Sequence, residues 1–170
     1  MDIQKTSYYY DLNLLKNDLN RYKKYFNEIN QLSIKYDPKA IINDEEPHYS
    51  CIGASNEKIK TWDYSTTTPI FQGSEFDKLL SNINCDTRRI RLMAMKPRSC
   101  YSLHQDTYKR LHWALETWPE CHITFQKNNG FVGYHIPADG YGYLIDTKTF
   151  HTAVNPTLFI RYHLVLDIVD

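Results

Sequence analysis

The chain has 170 residues, 42% of them apolar and 24% charged, the composition of a folded globule large enough to bury its own core. Twenty Lys and Arg balance twenty Asp and Glu, so nothing in the overall charge draws the chain to nucleic acid or to anionic lipid. No apolar run approaches the ~18 residues of a membrane span, and Met1–Lys5 has neither the apolar stretch nor the small-residue site of a secretory signal. The expectation is a cytoplasmic protein with no nucleic-acid and no membrane partner.

In chain order, Leu12, Leu15, Leu19, Tyr22, Phe26 and Ile29 recur every three or four residues among charged and amide side chains. This predicts an amphipathic helix from about Asp11 to Ser33 whose apolar face covers a sheet. Residues 37–75 are rich in Pro, Asn, Ser, Thr and Glu and read as loops, with short strands near Tyr49–Ile52 and Ile59–Tyr64. Ser74–Leu80 reads as a short helix capped by Ser74. From Arg88 the pattern changes to alternation: Arg89–Met95, Leu111–Leu115, His122–Phe125, Phe131–Ile136, Gly142–Ile145 and Phe159–Val169, separated by turn residues such as Asn128-Asn129-Gly130. Strands at spacings near ten residues imply a β-sandwich or barrel. The chain therefore reads as one domain over 1–170. Residues 1–80 form a helix and loops that support a β-barrel over 88–169. The cysteines at 51, 85, 100 and 121 show no CxxC and are expected to be reduced and mostly buried.

Chemistry concentrates in the β half. In His104-Gln105-Asp106 an imidazole and a carboxylate stand two apart, so in extended backbone both project to one side. His151 follows in Phe150-His151-Thr152-Ala153, and Arg161 stands alone on the apolar run Leu158–Leu166. Two histidines and a carboxylate are the ligand set that binds Fe(II) on one face and leaves positions open. An arginine inside a barrel needs an anion, and its planar fork matches a carboxylate. A dicarboxylate such as 2-oxoglutarate satisfies both: its 2-oxo acid end chelates iron and its far carboxylate meets Arg161. Arg110 and His112 share a face; Arg110 either reaches an acidic ligand or pairs with Glu116 or Asp106. His163 shares the face of Arg161 and supports it. Asp146-Thr147 reads as a structural turn, and Trp113 and Trp118 read as core.

From Arg89 onward the chain resembles the Fe(II)/2-oxoglutarate-dependent oxygenases built on a double-stranded β-helix, in particular their aspartyl/asparaginyl β-hydroxylase-like branch. The resemblance lies in Leu103-His104-Gln105-Asp106, Arg110-Leu111-His112, Ile136–Gly140, Ile145-Asp146-Thr147, Phe150–Asn155 and Arg161–Asp167, which come in the family's order over about half the chain. It implies a mainly β, jelly-roll (cupin-like) barrel and His104, Asp106 and His151 as iron ligands. It also implies that Arg161 holds the distal carboxylate of 2-oxoglutarate, with Arg110 and His112 flanking the cosubstrate. The implied reaction consumes O₂ and 2-oxoglutarate, hydroxylates a C–H bond of an amino acid or of a residue in a peptide or protein, and releases succinate and CO₂. Residues before 80 carry no such pattern. Two other readings retain part of the pattern: a cupin-like metal enzyme that uses no 2-oxoglutarate, and a non-catalytic β-barrel binding module.

Overall fold

The structure, a computed structural model, describes residues 1–27, 29–39, 46–50 and 63–169. Strand β1 (Ile3–Tyr9) leads to helix α1 (Leu12–Tyr22) and a 3₁₀ turn (Lys23–Asn27). Short strands β2 (Gln31–Ser33), β3 (Lys35–Tyr36) and β4 (Thr66–Thr67) precede helix α2 (Glu75–Ser81). The barrel strands follow: β5 (Thr87–Met95), β6 (Ser99–Cys100), β7 (Lys109–Glu116), β8 (His122–Lys127), β9 (Gly130–Tyr134), β10 (Tyr141–Ile145), β11 (His151–Asn155) and β12 (Arg161–Ile168). They form two antiparallel sheets, one of six strands ordered β1-β10-β7-β12-β5-β2 and one of four ordered β6-β11-β8-β9. From β5 on the chain passes back and forth between the two sheets, which is the double-stranded β-helix.

The larger sheet is sided. On its outer face Leu92, Leu111, Trp113, Leu115, Leu164 and Leu166 are buried against Leu15, Leu19, Tyr22, Phe71 and Phe76. This is the contact that the periodicity of α1 anticipates. Asp11 caps α1 by accepting from the Asn13 N–H at 2.8 Å, and Asp18 of α1 accepts from the Glu75 N–H at 2.8 Å, so one helix also caps the start of the other. Gly142 on β10 lies flat against the Trp113 indole, and a Cβ there would approach its ring to 2.8 Å. On the inner face β5, β7 and β12 present Arg91, Met93, Met95, Arg110, His112, Arg161, His163 and Asp167, each pair set by register: Arg161 opposite Met95, His163 opposite Met93 and Asp167 opposite Arg110. A smaller apolar cluster of Ile123, Phe125, Ile136, Tyr143 and Ile145 closes the barrel between the sheets.

The helix expected from Asp11 to Ser33 ends at Tyr22. Phe26 keeps its place in the core through the 3₁₀ turn, after which Gln31–Ser33 pairs with the free edge of β5. Pairing to an open sheet edge thus overrides a helical spacing whose last apolar member, Ile29, is only partly buried. Ile3–Tyr9, without clear alternation, becomes the strand that covers the other edge, against β10. Tyr49 lies in a 3₁₀ turn (Pro47–Tyr49), and the strands expected over 51–52 and 59–62 lie outside the described residues. Ser74 caps α2 as expected, accepting from the Asp77 N–H at 3.1 Å. Cys85 and Cys100 are exposed rather than buried, and Cys121 is buried; all three are free thiols. Among the described residues no helix is long and apolar enough to cross a membrane.

Candidate metal centre

His104 and His151 are 47 residues apart in sequence and become direct cross-strand partners. The His104 N–H donates to the His151 carbonyl at 3.0 Å, and the His151 N–H returns the bond to the His104 carbonyl at 2.9 Å. Residues facing each other in this way project to one side, and the two imidazole centroids are 4.5 Å apart. Asp106 is brought to the same place by its own N–H, which donates to the carbonyl of Thr147 at 2.8 Å. Thr147 is in turn tied through its hydroxyl to the Tyr108 carbonyl. The Asp146-Thr147 turn is therefore structural, and its effect is to place a carboxylate between two histidines. One donor atom from each of the three lies within 4.8 Å of the others.

The protons of the two imidazoles are accounted for. His104 Nδ1 lies 2.7 Å from the Ser102 carbonyl and His151 Nδ1 lies 2.9 Å from the Thr149 carbonyl. A carbonyl only accepts, so each Nδ1 carries the hydrogen and each Nε2 presents a lone pair. Those Nε2 atoms lie 3.7 Å from Asp106 Oδ1 and 3.3 Å from Asp106 Oδ2. Asp106 Oδ2 is buried and has no hydrogen-bond donor. Three acceptors thus converge with no donor among them, which is costly unless a cation joins them. Two imidazoles oriented by backbone carbonyls plus a carboxylate oxygen fit a divalent metal of the Fe(II) or Mn(II) type. Burial pushes the Asp106 carboxyl up, but His151, when it carries a second proton, and the Arg110 guanidinium outweigh it and hold the group below its ordinary value.

A cavity runs from this cluster along the inner face of the larger sheet, walled by Met93, Met95, Ile123, Ala153 and Val165 and ending at Arg161. Arg161 is 5% exposed. Its Nε donates to His163 Nε2 at 2.9 Å and its Nη1 touches Met95 Sδ at 3.7 Å. Among the described residues no carboxylate pairs with it. Burial lowers its pKa to about 10, so the group remains a cation at neutral pH. Burial, and then the Arg161 charge, hold His163 and His112 well below the ordinary histidine value, so both are neutral. His112 Nδ1 approaches His163 Nδ1 at 3.3 Å, while His112 Nε2 is buried without a partner.

All seven residues singled out in the sequence line this cavity or its metal end. Arg110 is the one whose surroundings are most divided: Nη2 donates to Asp106 Oδ1 at 2.7 Å and Nε to Asp167 Oδ1 at 3.1 Å. The pairing with Asp106 was one of the two alternatives the spacing left open. The other carboxylate considered, Glu116, pairs with Lys23 instead. Trp113 packs in the core, and Trp118 stacks on Phe159 at 5.0 Å; neither lines the cavity. Sequence reasoning missed Tyr101, which lines the cavity near Arg161, Asp167, which holds Arg110, and Arg91, which pairs with Asp167. Asp167 was legible, standing six residues from Arg161 on one strand and so on the same face. Tyr101 gave no such signal.

No protein-family model and no curated protein matches the chain. Solved structures do. AviO1 from Streptomyces viridochromogenes Tue57 superposes with a TM-score of 0.55 at 13% identity, over 99% of this chain and 90% of that one. A Pseudomonas putida prolyl-4-hydroxylase superposes with a TM-score of 0.52 at 12% identity, over 98% and 91%. At this identity the likeness is one of fold, and the superposition extends over nearly the full length of both chains.

Proposed function

We propose that the protein is an Fe(II)- and 2-oxoglutarate-dependent oxygenase that hydroxylates a C–H bond of an amino acid or of a residue in a peptide or protein. One observation carries the reading: a single cavity has a cation-demanding His-Asp-His cluster at one end and, at the other, a buried guanidinium that no carboxylate among the described residues pairs with. The first end calls for a metal and the second for an anion, and a short dicarboxylate that chelates the metal answers both. The cupin-like alternative without 2-oxoglutarate leaves Arg161 buried with no anion.

His104, Asp106 and His151 would hold the iron. With 2-oxoglutarate bound, that centre supplies the coupling of O₂ to oxidation of a substrate C–H bond, with release of succinate and CO₂. The chain itself binds and orients. Arg161 forks onto the distal carboxylate, and His163, kept neutral, fixes the guanidinium by accepting from its Nε. His112 Nε2 is a spare polar contact on the cavity wall. Met93, Met95, Ile123, Ala153 and Val165 exclude water from the path between the two ends.

The test is a succinate-release screen of the metal-loaded protein over free amino acids and peptides, with mass spectrometry of the products. The reading expects succinate formation to require 2-oxoglutarate and to accompany gain of one oxygen atom by one substrate class. Oxidation of a substrate that proceeds equally without 2-oxoglutarate would overturn it.

A further inference from the structure

Asp106 does not offer its two oxygens equally. Oδ1 accepts from Arg110 Nη2 at 2.7 Å, whereas Oδ2 is buried, lacks a donor and faces His151 Nε2 at 3.3 Å. Arg110 is itself held from behind. Its Nε donates to Asp167 Oδ1 at 3.1 Å, and the same oxygen accepts from Arg91 Nη2 at 3.3 Å. Four side chains, Arg91, Asp167, Arg110 and Asp106, therefore alternate in charge across β5, β12 and β7 and end at the proposed metal centre. Their side chains are 3%, 6%, 15% and 15% exposed, so none of them can relax into water.

That depth separates this series from surface ion pairs, which are worth little. Its formal charges sum to zero, and removing any one member leaves a buried neighbour uncompensated. Geometry matters as much as charge. A guanidinium is a rigid planar fork, and here different nitrogens engage two carboxylates, which fixes its plane. The fixed plane in turn fixes the rotation of the Asp106 carboxylate. Without the fork, Oδ1 has His104 Nε2 at 3.7 Å on the metal side, which presents a lone pair and holds nothing in place. A carboxylate free to turn can bind a metal through one oxygen or two.

We propose that Arg110, anchored by Asp167, is a positioning residue that reserves Asp106 Oδ1 and so restricts Asp106 to a single metal-facing oxygen. One coordination position that a two-oxygen carboxylate would occupy is thereby kept for an exchangeable ligand. This rests on the metal-centre reading above. It differs from a role in which Arg110 touches the cosubstrate, because its effect exists before any cosubstrate binds.

Mn(II) is a suitable probe, and water-proton relaxation of the Mn(II)-loaded full chain, without 2-oxoglutarate, reports how many waters the bound ion exchanges. The expected result is that Arg110→Met binds one equivalent of Mn(II) no more weakly than the wild type but carries one exchangeable water fewer. Asp167→Leu, which keeps Arg110 but removes the acceptor of its Nε, gives an intermediate value. A folded Arg110→Met protein with the wild-type water count, or one that loses Mn(II) binding altogether, overturns the proposal. If Arg110→Met does not fold, an unchanged count in Asp167→Leu does the same. Failure of the underlying reading looks different: the wild type then binds no Mn(II), or His151→Ala binds it equally well.

Discussion

The two faces of the larger sheet are made from alternate residues of the same strands, and they obey opposite rules. On β12 the even positions, Tyr162, Leu164 and Leu166, are buried among α1, α2 and their turns. Three of its odd positions, Arg161, His163 and Val165, line the cavity, and a fourth, Asp167, joins the ion-pair series at the metal end. Both faces are equally dry, with Leu164 at 0% and His163 at 4% exposure. The outer face is stabilised by removing apolar surface from water, about 25 cal/mol per Å². The inner face keeps polar groups whose burial is costly unless each is partnered. Most are partnered internally, as in the Arg91–Asp167–Arg110–Asp106 series. Among the described residues, Arg161, His112 Nε2 and Asp106 Oδ2 lack suitable partners at the cavity and mark where ligands belong, whereas Arg91 Nε is unpartnered away from it. A one-residue slip of β12 would exchange the two faces, so the helices that bury Leu164 also aim Arg161.

Substitutions on opposite faces should separate stability from binding. The largest effect is expected of His104→Ala or His151→Ala: metal binding measured by calorimetry falls below detection and turnover ceases, with the circular dichroism spectrum unchanged. On the outer face, Leu164→Ala should lower the free energy of unfolding in urea by about 2–5 kcal/mol, while the folded fraction keeps the wild-type metal stoichiometry. On the inner face the sign should invert. Arg161→Met removes a buried cation that no carboxylate among the described residues pairs with, and should raise the stability of the ligand-free protein by about 1–3 kcal/mol in the same assay. A loss of stability instead would mean that Arg161 is a structural member of the barrel.

Acid should discriminate between the faces more gently. His112, His163 and, packed against Tyr25 and Tyr49, His48 are all held below the usual histidine value by burial. Below pH ~6.5 the unfolded chain takes up protons that the folded chain refuses. The unfolded state then binds more protons, so stability falls as pH is lowered, by up to about 1.4 kcal/mol per pH unit for each such group. Thermal unfolding between pH 7 and pH 5 should show this fall. Replacing His112 and His163 by phenylalanine should flatten it, whereas Leu164→Ala should shift the curve without changing its slope.

The inner face was more legible in the sequence than the scaffold around it. His104 and Asp106 at i and i+2, and a lone Arg161 in an apolar run, are local patterns that extended backbone turns into shared direction. The pairing of His104 with His151 followed only from placing them in one family of fold. The edges of the larger sheet were not legible, because which segment caps an edge depends on what lies beside it: Ile3–Tyr9 has no marked alternation, and Gln31–Ser33 lies at the end of a helical spacing. The partner of Arg110 was left open for the same reason. Asp106 and Asp167 are brought to it by a loop and by a strand 57 residues away, and no spacing within one element reports either.

The central claim is that one small dicarboxylate spans the cavity from the metal to Arg161. Calorimetric titration of 2-oxoglutarate into the oxygen-free, metal-loaded wild type and Arg161→Met tests it directly. The account predicts one equivalent bound by the wild type only when metal is present. It predicts binding weaker by about 30- to 1000-fold in Arg161→Met, the ~2–4 kcal/mol of a charge-assisted bidentate contact, with metal affinity unchanged. Equal affinity in the two proteins, or binding that needs no metal, would contradict it.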